Sequence, residues 1–250
     1  MSFSLLELAD GFRAYAHSGM EARFIYQEIF EDHSYVLPEL PEAPLIVDVG
    51  ANIGLFCIYV KRAYPEARVI AFEPAPESLR ALRLNLELHQ IDDVTVHPLC
   101  LGSERNDAAR FAYYPRLPGN STLRPDDQVP FKARLSEILG KTLAASLFTP
   151  RELNVRVERL SDILADSRLA GADIDLIKVD VEGAELDVLH GIDDHDWPRI
   201  GNLVVEVGDT DGRLHAVETL LRDRGFTVSS APTSFMETRL PFYYVTARRG

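Results

Sequence analysis

Carboxylates gathered around glycine turns are the residues of this sequence whose types and spacing could do chemistry. The first group is Val47-Asp-Val-Gly-Ala-Asn-Ile-Gly54, where an apolar run enters a turn and a helical pattern leaves it. Gly50 lets backbone approach a ligand with no Cβ in the way, and Gly54 allows close strand–helix packing. Asn52 stands where a dinucleotide loop of the form Gly-x-Gly-x-x-Gly has its middle glycine, so a pyrophosphate fits poorly and a nicotinamide-dependent oxidoreductase is a poor reading. Asp48 adds a carboxylate that suits a cationic or amine-bearing ligand. Glu73 ends the next apolar run, where an acidic side chain can accept both ribose hydroxyls of a nucleoside.

The third group is Ile177-Lys-Val-Asp-Val-Glu-Gly-Ala-Glu185. Asp180, Glu182 and Glu185 repel one another unless they face solvent, a cation or a polar substrate. A helix start favours acidic residues and accounts for Glu185, but Asp180 and Glu182 precede that helix. Lys178 interrupts an apolar strand, where a lysine usually has a carboxylate partner. Hard cations take oxygen ligands, yet no histidine clusters with these three, and no required metal is expected.

The elements that must position these groups alternate. Short β-branched runs at Leu45–Gly50, Arg68–Glu73, Val94–His97, Asp175–Asp180 and Asn202–Val207 read as strands. Helical patterns fall between them at 52–63, 76–89, 184–191 and 214–224, which predicts an α/β fold with a mainly parallel sheet and ligands at the strands' carboxyl ends. Phe226–Ser229 and Phe242–Thr246 read as a closing antiparallel pair. Residues 105–172 break the rhythm, with strands at 110–114 and 154–158 and a helical insertion at 131–147. The first forty residues read as helical, from Leu5, Leu6, Leu8 and Phe12 and again from Phe24, Ile25, Glu28 and Ile29.

Composition narrows the classes. The chain has 250 residues, 46% hydrophobic, with a net charge of −13, which is globular and argues against nucleic acid and a polybasic membrane anchor as partners. No apolar run reaches a membrane span and no secretory signal is read at the N-terminus, so a cytoplasmic protein is expected. Cys57 and Cys100 sit in apolar settings and read as buried thiols.

Asp48-Val-Gly-Ala-Asn-Ile-Gly54, Phe72-Glu-Pro74, Gly119-Asn-Ser-Thr-Leu123, Asp175–Glu185 and Leu203-Val-Val-Glu-Val207 resemble the FkbM family of S-adenosylmethionine-dependent methyltransferases. The resemblance implies a Rossmann-like class I fold with a seven-stranded sheet, a helical segment over 1–44 and a catalytic domain over 45–250. Phe24-Ile-Tyr-Gln-Glu-Ile-Phe30 and Tyr35 are similar to the subset that methylates hydroxyls of polyketide and peptide natural products. By motif, Asp48, Gly50, Asn52, Gly54 and Asp180 would line the S-adenosylmethionine site, Glu73 would hold its ribose, and Tyr26, Tyr35, Asn120 and Glu206 would face the acceptor.

That subset often reads Glu-Val-His-Asp after the fifth strand, whereas this chain reads Glu206-Val-Gly-Asp209. Gly208 cannot take a proton, which leaves Glu28, His33 and Glu182 as candidates for the general base. N-methylation, sugar O-methylation and a cofactor-binding protein with impaired catalysis stay open beside O-methylation of a small molecule, free or carrier-bound. The N-terminal segment is expected to cap the site or to form a homodimer contact.

Overall fold

The computed structural model of the chain describes residues 3–32, 34–35, 37–165, 169–233 and 242–250. Its centre is a seven-stranded sheet built from β3 (Leu45–Val49), β4 (Arg68–Phe72), β5 (Val94–His97), β9 (Leu176–Val179), β10 (Asn202–Gly208), β11 (Thr227–Pro232) and β12 (Phe242–Arg248). The spatial order is β11-β12-β10-β9-β3-β4-β5. Every pairing from β10 to β5 is parallel, and β12 runs antiparallel to both of its neighbours, so the sheet is mixed at one edge. All five residues of β3 are buried, as a strand covered on both faces requires.

Helices α2 (Leu55–Ala63), α3 (Pro76–Leu88), α6 (Leu160–Ala165), α7 (Glu185–His190) and α8 (Arg213–Asp223) connect the strands. Two apolar clusters pack the two faces, one around Val47, Ile177 and Val205 and one around Ile46, Phe56 and Leu82. Both cysteines are buried thiols. Among the described residues no helix is long and apolar enough to cross a membrane.

Two regions depart from the simple alternation. β6 (Cys100–Leu101), β7 (Asn106–Tyr113) and β8 (Arg151–Glu158) form a separate three-stranded sheet. Between β7 and β8, the insertion is two helices, α4 (Val129–Leu139) and α5 (Lys141–Leu147), broken at Gly140 with φ of +83°. The N-terminal segment is not all helical. β1 (Ser4–Ala9) and β2 (Phe12–Ala16) form a hairpin joined by Asp10-Gly11. Buried Phe12, Ala14 and Ala16 alternate with Arg13 and Tyr15, which is the period of a strand and outweighs the helical spacing of the leucines before them. Asn85 on α3 ties the hairpin down, accepting from the Tyr15 amide at 2.6 Å and donating to the Tyr15 and Ile53 carbonyls. Only α1 (Gly19–Tyr26) and a widened turn at Gln27–Glu31 keep the helical reading.

Candidate active site

The carboxyl ends of β3, β4, β9 and β10 open into a cavity of about 440 Å³, roofed by α1, the segment 117–123 and α4. Gly50 sits at its floor with φ of +84°, in the left-handed region that favours glycine. An added Cβ there would lie 1.8 Å from the Asp180 carbonyl oxygen. Asn52 also takes a left-handed backbone, at φ of +48°, which asparagine tolerates better than most residues. Its amide donates to Glu73 Oε2 at 2.9 Å, and the Ala75 amide donates to Glu73 Oε1 at 2.8 Å. Glu73 is thus held by two backbone donors at the cavity wall with lone pairs to spare on both oxygens. Burial pushes its carboxyl up to about 7 against those donors. Asn52 Oδ1 is buried without a hydrogen-bond partner in this wall, an acceptor waiting for a ligand donor.

Asp48 lies elsewhere than expected. Its carboxylate is fully buried and does not line the cavity. Asp48 and Lys178 are register partners on β3 and β9, and the Lys178 ammonium lies 3.1 Å from Asp48 Oδ1. The same ammonium donates to the Gly50 carbonyl at 2.7 Å and lies 3.5 Å from Asp180. Burial would lower the proton affinity of Lys178, but the Asp48 and Asp180 charges outweigh it and hold the lysine above its ordinary value. The cation that Asp48 serves belongs to the protein, so Asp48 braces the turn from beneath. Gly54 also stays out of the cavity and packs against Leu82 of α3.

Six further groups meet at the other end of the cavity. The Tyr35 hydroxyl lies 3.1 Å from Asp180 Oδ2 and 3.0 Å from Glu206 Oε2. One hydroxyl has one proton to donate, so a second proton must sit on one of the two carboxyls for both contacts to be hydrogen bonds. Burial, then the charges of Asp180 and Glu28, pushes Glu206 well above the usual carboxylate range, which makes it the proton's holder. Glu28 accepts from the Tyr244 hydroxyl, and burial lifts its carboxyl to about 7. Glu182, at φ of +57°, accepts from the Asn120 amide at 3.0 Å and lies 3.4 Å from Gln128 Nε2. Burial, then the charges of Asp180 and Glu185, pushes Glu182 well above the usual range as well. The segment 119–122 fixes this corner, since Thr122 donates to the Glu182 carbonyl at 2.8 Å and the Gly119 amide donates to Glu21 Oε1 at 2.7 Å.

Asp180, Glu182 and Glu206 also line a second cavity, of about 260 Å³, under Gly208 and the loop that leads to α8. Gly208 has its own reason to be glycine, because Phe242 Cε1 lies 3.1 Å from where a Cβ would stand. Phe242 is the register partner of Gly208 across β10 and β12, so its ring crowds any side chain placed there. Among the described residues no histidine lines either cavity. His33 lies outside the described residues. Tyr26, expected to face the acceptor, instead stacks on Phe30 at 4.7 Å and lines neither cavity. Among the described residues, the set of acidic or histidine ligand atoms close enough to share one ion is Asp193, His195 and Asp196, and the carboxyls at Asp180, Glu182 and Glu185 do not converge in that way.

Glu21, Gln128 and Arg213 were missing from the sequence reading. Glu21 lies seven residues before Glu28, and both line the larger cavity, but Glu28 stands on the widened turn after α1, so no simple helical spacing marks the pair. Burial lifts Glu21 to about 8 and Glu185 to about 7. Each raised carboxyl binds its proton more tightly folded than unfolded, so its contribution to stability is full below about pH 4.5 and is lost as pH rises through 7 to 8. The protein is therefore expected to melt at a lower temperature at pH 9 than at pH 7. Each kcal/mol lost shifts the midpoint by roughly 2–4 °C in a chain of this size. A midpoint that holds or climbs over that interval in thermal unfolding would contradict the raised values.

Comparison with known proteins places this architecture. Residues 48–228 match the family model described as the methyltransferase FkbM domain. Methyltransferase sdnD of Sordaria araneosa is 41% identical over 248 residues, covering 96% of this chain and 95% of that one. The 31-O-demethyl-FK506 methyltransferase FkbM of Streptomyces tacrolimicus is 38% identical over 228 residues, covering 86% and 85%. A solved structure, methyltransferase FkbM from Methylobacillus flagellatus KT, superposes with a TM-score of 0.56 at 18% identity, over 88% of this chain and 47% of that one.

Proposed function

From the premise that the chain belongs to the FkbM family of S-adenosylmethionine-dependent methyltransferases, we propose that it methylates a hydroxyl of a small-molecule natural product. The observation that carries this reading is the half-buried Glu182 carboxyl, which lines both cavities and is held by the Asn120 and Gln128 amides, placed to take an acceptor's proton. The name of the Streptomyces relative, which gives its substrate as an O-demethyl compound, supports oxygen as the methylated atom.

The residues present fit the cofactor. Gly50 leaves the floor bare, Asn52 Oδ1 offers an unused acceptor, and Glu73 presents lone pairs for a ribose diol. Leu99, Leu101 and Phe111 supply an apolar end for a base. When bound, S-adenosylmethionine supplies an electrophilic methyl on a sulfonium. The protein's part is to align the acceptor, to exclude water and to take the proton. Positioning supplies much of the rate in such a displacement. The proton goes to Glu182, while the Glu206–Tyr35–Asp180 chain fixes the neighbouring hydrogen bonds. Met20, Phe24 and Ile25 of α1 line the larger cavity, and in this proposal α1 and the turn after it close its mouth against water.

Two measurements test the reading. Carbon-13-labelled methyl transferred to a hydroxylated acceptor separates oxygen from nitrogen by its chemical shift, and a methyl found on nitrogen defeats the hydroxyl assignment. Glu73→Ala should weaken S-adenosylhomocysteine binding by ~1–3 kcal/mol, roughly 5- to 150-fold, as for a lost hydrogen bond to a charged group. Unchanged affinity in calorimetry of the folded variant would remove Glu73 from the ribose site.

A further inference from the structure

The smaller cavity is the more unusual of the two in its chemistry. Seven of its fifteen lining residues are Asp or Glu, and Arg213 is the one cation among them. Arg213 is already committed, paired with Asp127 and donating to the Gly208 carbonyl at 3.3 Å. Two acceptors in the wall lack any hydrogen-bond donor. Gln128 Oε1 belongs to a side chain that is 4% exposed, and Glu185 Oε2 to one that is 1% exposed, with Arg213 Nε no nearer than 3.9 Å. A buried acceptor without a donor keeps its desolvation cost uncompensated, so each calls for a ligand that donates.

A metal ion does not meet that call. Among the described residues, these carboxyl oxygens do not converge to the spacing one ion requires. The wall also carries two aromatic rings, Phe131 and Phe242, packed edge to face at 5.9 Å. Ring faces attract ammonium groups and hold a hydrated metal ion poorly. Asp209 and Asp211 stand at the rim on the loop before α8, and Asp211 is exposed to solvent.

We propose that this cavity binds a protonated amine on the methyl acceptor, so that the substrate is an amino alcohol anchored by its ammonium group and methylated on a neighbouring hydroxyl. The inference rests on the O-methyltransferase reading above. The ammonium donates three hydrogen bonds and has no lone pair, so it is the handle and not the methylated atom. Asp180, Glu182 and Glu206 line both cavities, which brings a hydroxyl beside the handle to the place where the proton is taken.

Calorimetry on protein saturated with S-adenosylhomocysteine tests this with two probes of one skeleton, trans-2-aminocyclohexanol and trans-cyclohexane-1,2-diol. At pH 7 the amino alcohol should bind at least about tenfold more tightly than the diol. Glu185→Gln should remove most of that preference, and Asp211→Asn, on an exposed left-handed residue that tolerates Asn, should reduce it about threefold. Neither residue lines the larger cavity, so the S-adenosylhomocysteine affinity of both variants should stay within about twofold of the parent. Equal affinity for the two probes, a preference that survives both substitutions, or no binding of the amino alcohol overturns the inference and leaves the methyltransferase reading standing. Failure of S-adenosylhomocysteine to bind overturns the cofactor site and this inference with it.

Discussion

Glu182→Gln is expected to lower kcat by about 10²–10⁴-fold, the contribution of a positioned general base. Glutamine keeps the size of the side chain and its contact with Asn120, and it cannot take a proton. Cofactor affinity should move little, because Asn52, Gly50 and Glu73 are untouched, so the loss falls on turnover and not on binding. The pH profile separates this role from a structural one. Burial and the Asp180 and Glu185 charges hold Glu182 well above the usual range, and a base works only when ionised. Turnover should therefore fall as pH drops through that raised value, and Glu182→Gln should flatten the limb. Glu28→Gln is the comparison, since Glu28 accepts from Tyr244 away from the smaller cavity and its loss should cost less. A Glu182→Gln enzyme with kcat within about threefold of the parent, or with the acidic limb intact, would take the proton away from Glu182.

How much of this was legible in the chain follows from which interactions are local. The inner strands of the central sheet show as largely apolar β-branched runs, because a strand covered on both faces leaves few polar positions. Gly50, Asn52 and Glu73 show because a turn after a strand requires particular residue types within a few positions. Lys178 was legible as a lysine in need of a carboxylate, and it finds Asp48 across the strand pair. The consequence was not legible. Once Asp48 neutralises Lys178 it is unavailable to a ligand, and only the register of β3 against β9 decides that.

The hairpin at residues 4–16 carried its own signal in Asp10-Gly11 and in the alternation of Phe12, Ala14 and Ala16. Leu5, Leu6 and Leu8 fit a helical period equally well, and three residues are too few to separate two periods. The Tyr35 hydroxyl bridges Asp180 and Glu206, which lie 145 and 171 residues away along the chain. No local pattern encodes such a contact. The absence of histidine at Gly208 was visible, whereas the ring of Phe242 that crowds this position comes from a strand antiparallel to β10.

Gly50→Ala should cost more stability than any other single methyl added to this chain's left-handed glycines. Two penalties add at this position. An L residue at φ of +84° pays about 1–2 kcal/mol, whatever surrounds it. The new Cβ must then escape a carbonyl oxygen 1.8 Å away, and that oxygen is backbone of Asp180 and not the end of a flexible side chain. Escape means parting the ends of β3 and β9, where the Asp180 amide donates to Val49 at 3.0 Å. It also disturbs the Gly50 and Ala51 amides, which share the Phe72 carbonyl, and the Lys178 hydrogen bond to the Gly50 carbonyl. Gly11 provides the control, because its φ is +74° and nothing lies within 4 Å of its added Cβ. Gly11→Ala should lose about 1–2 kcal/mol in urea unfolding and keep its cofactor affinity. Gly50→Ala should lose more than about 4 kcal/mol, the range reserved for strain and broken buried networks, and what remains folded should bind S-adenosylhomocysteine at least about a hundredfold more weakly. Equal losses in the two variants would mean that the β3–β9 junction yields easily, and that Gly50 is there for its backbone angle and not for the approach of Asp180.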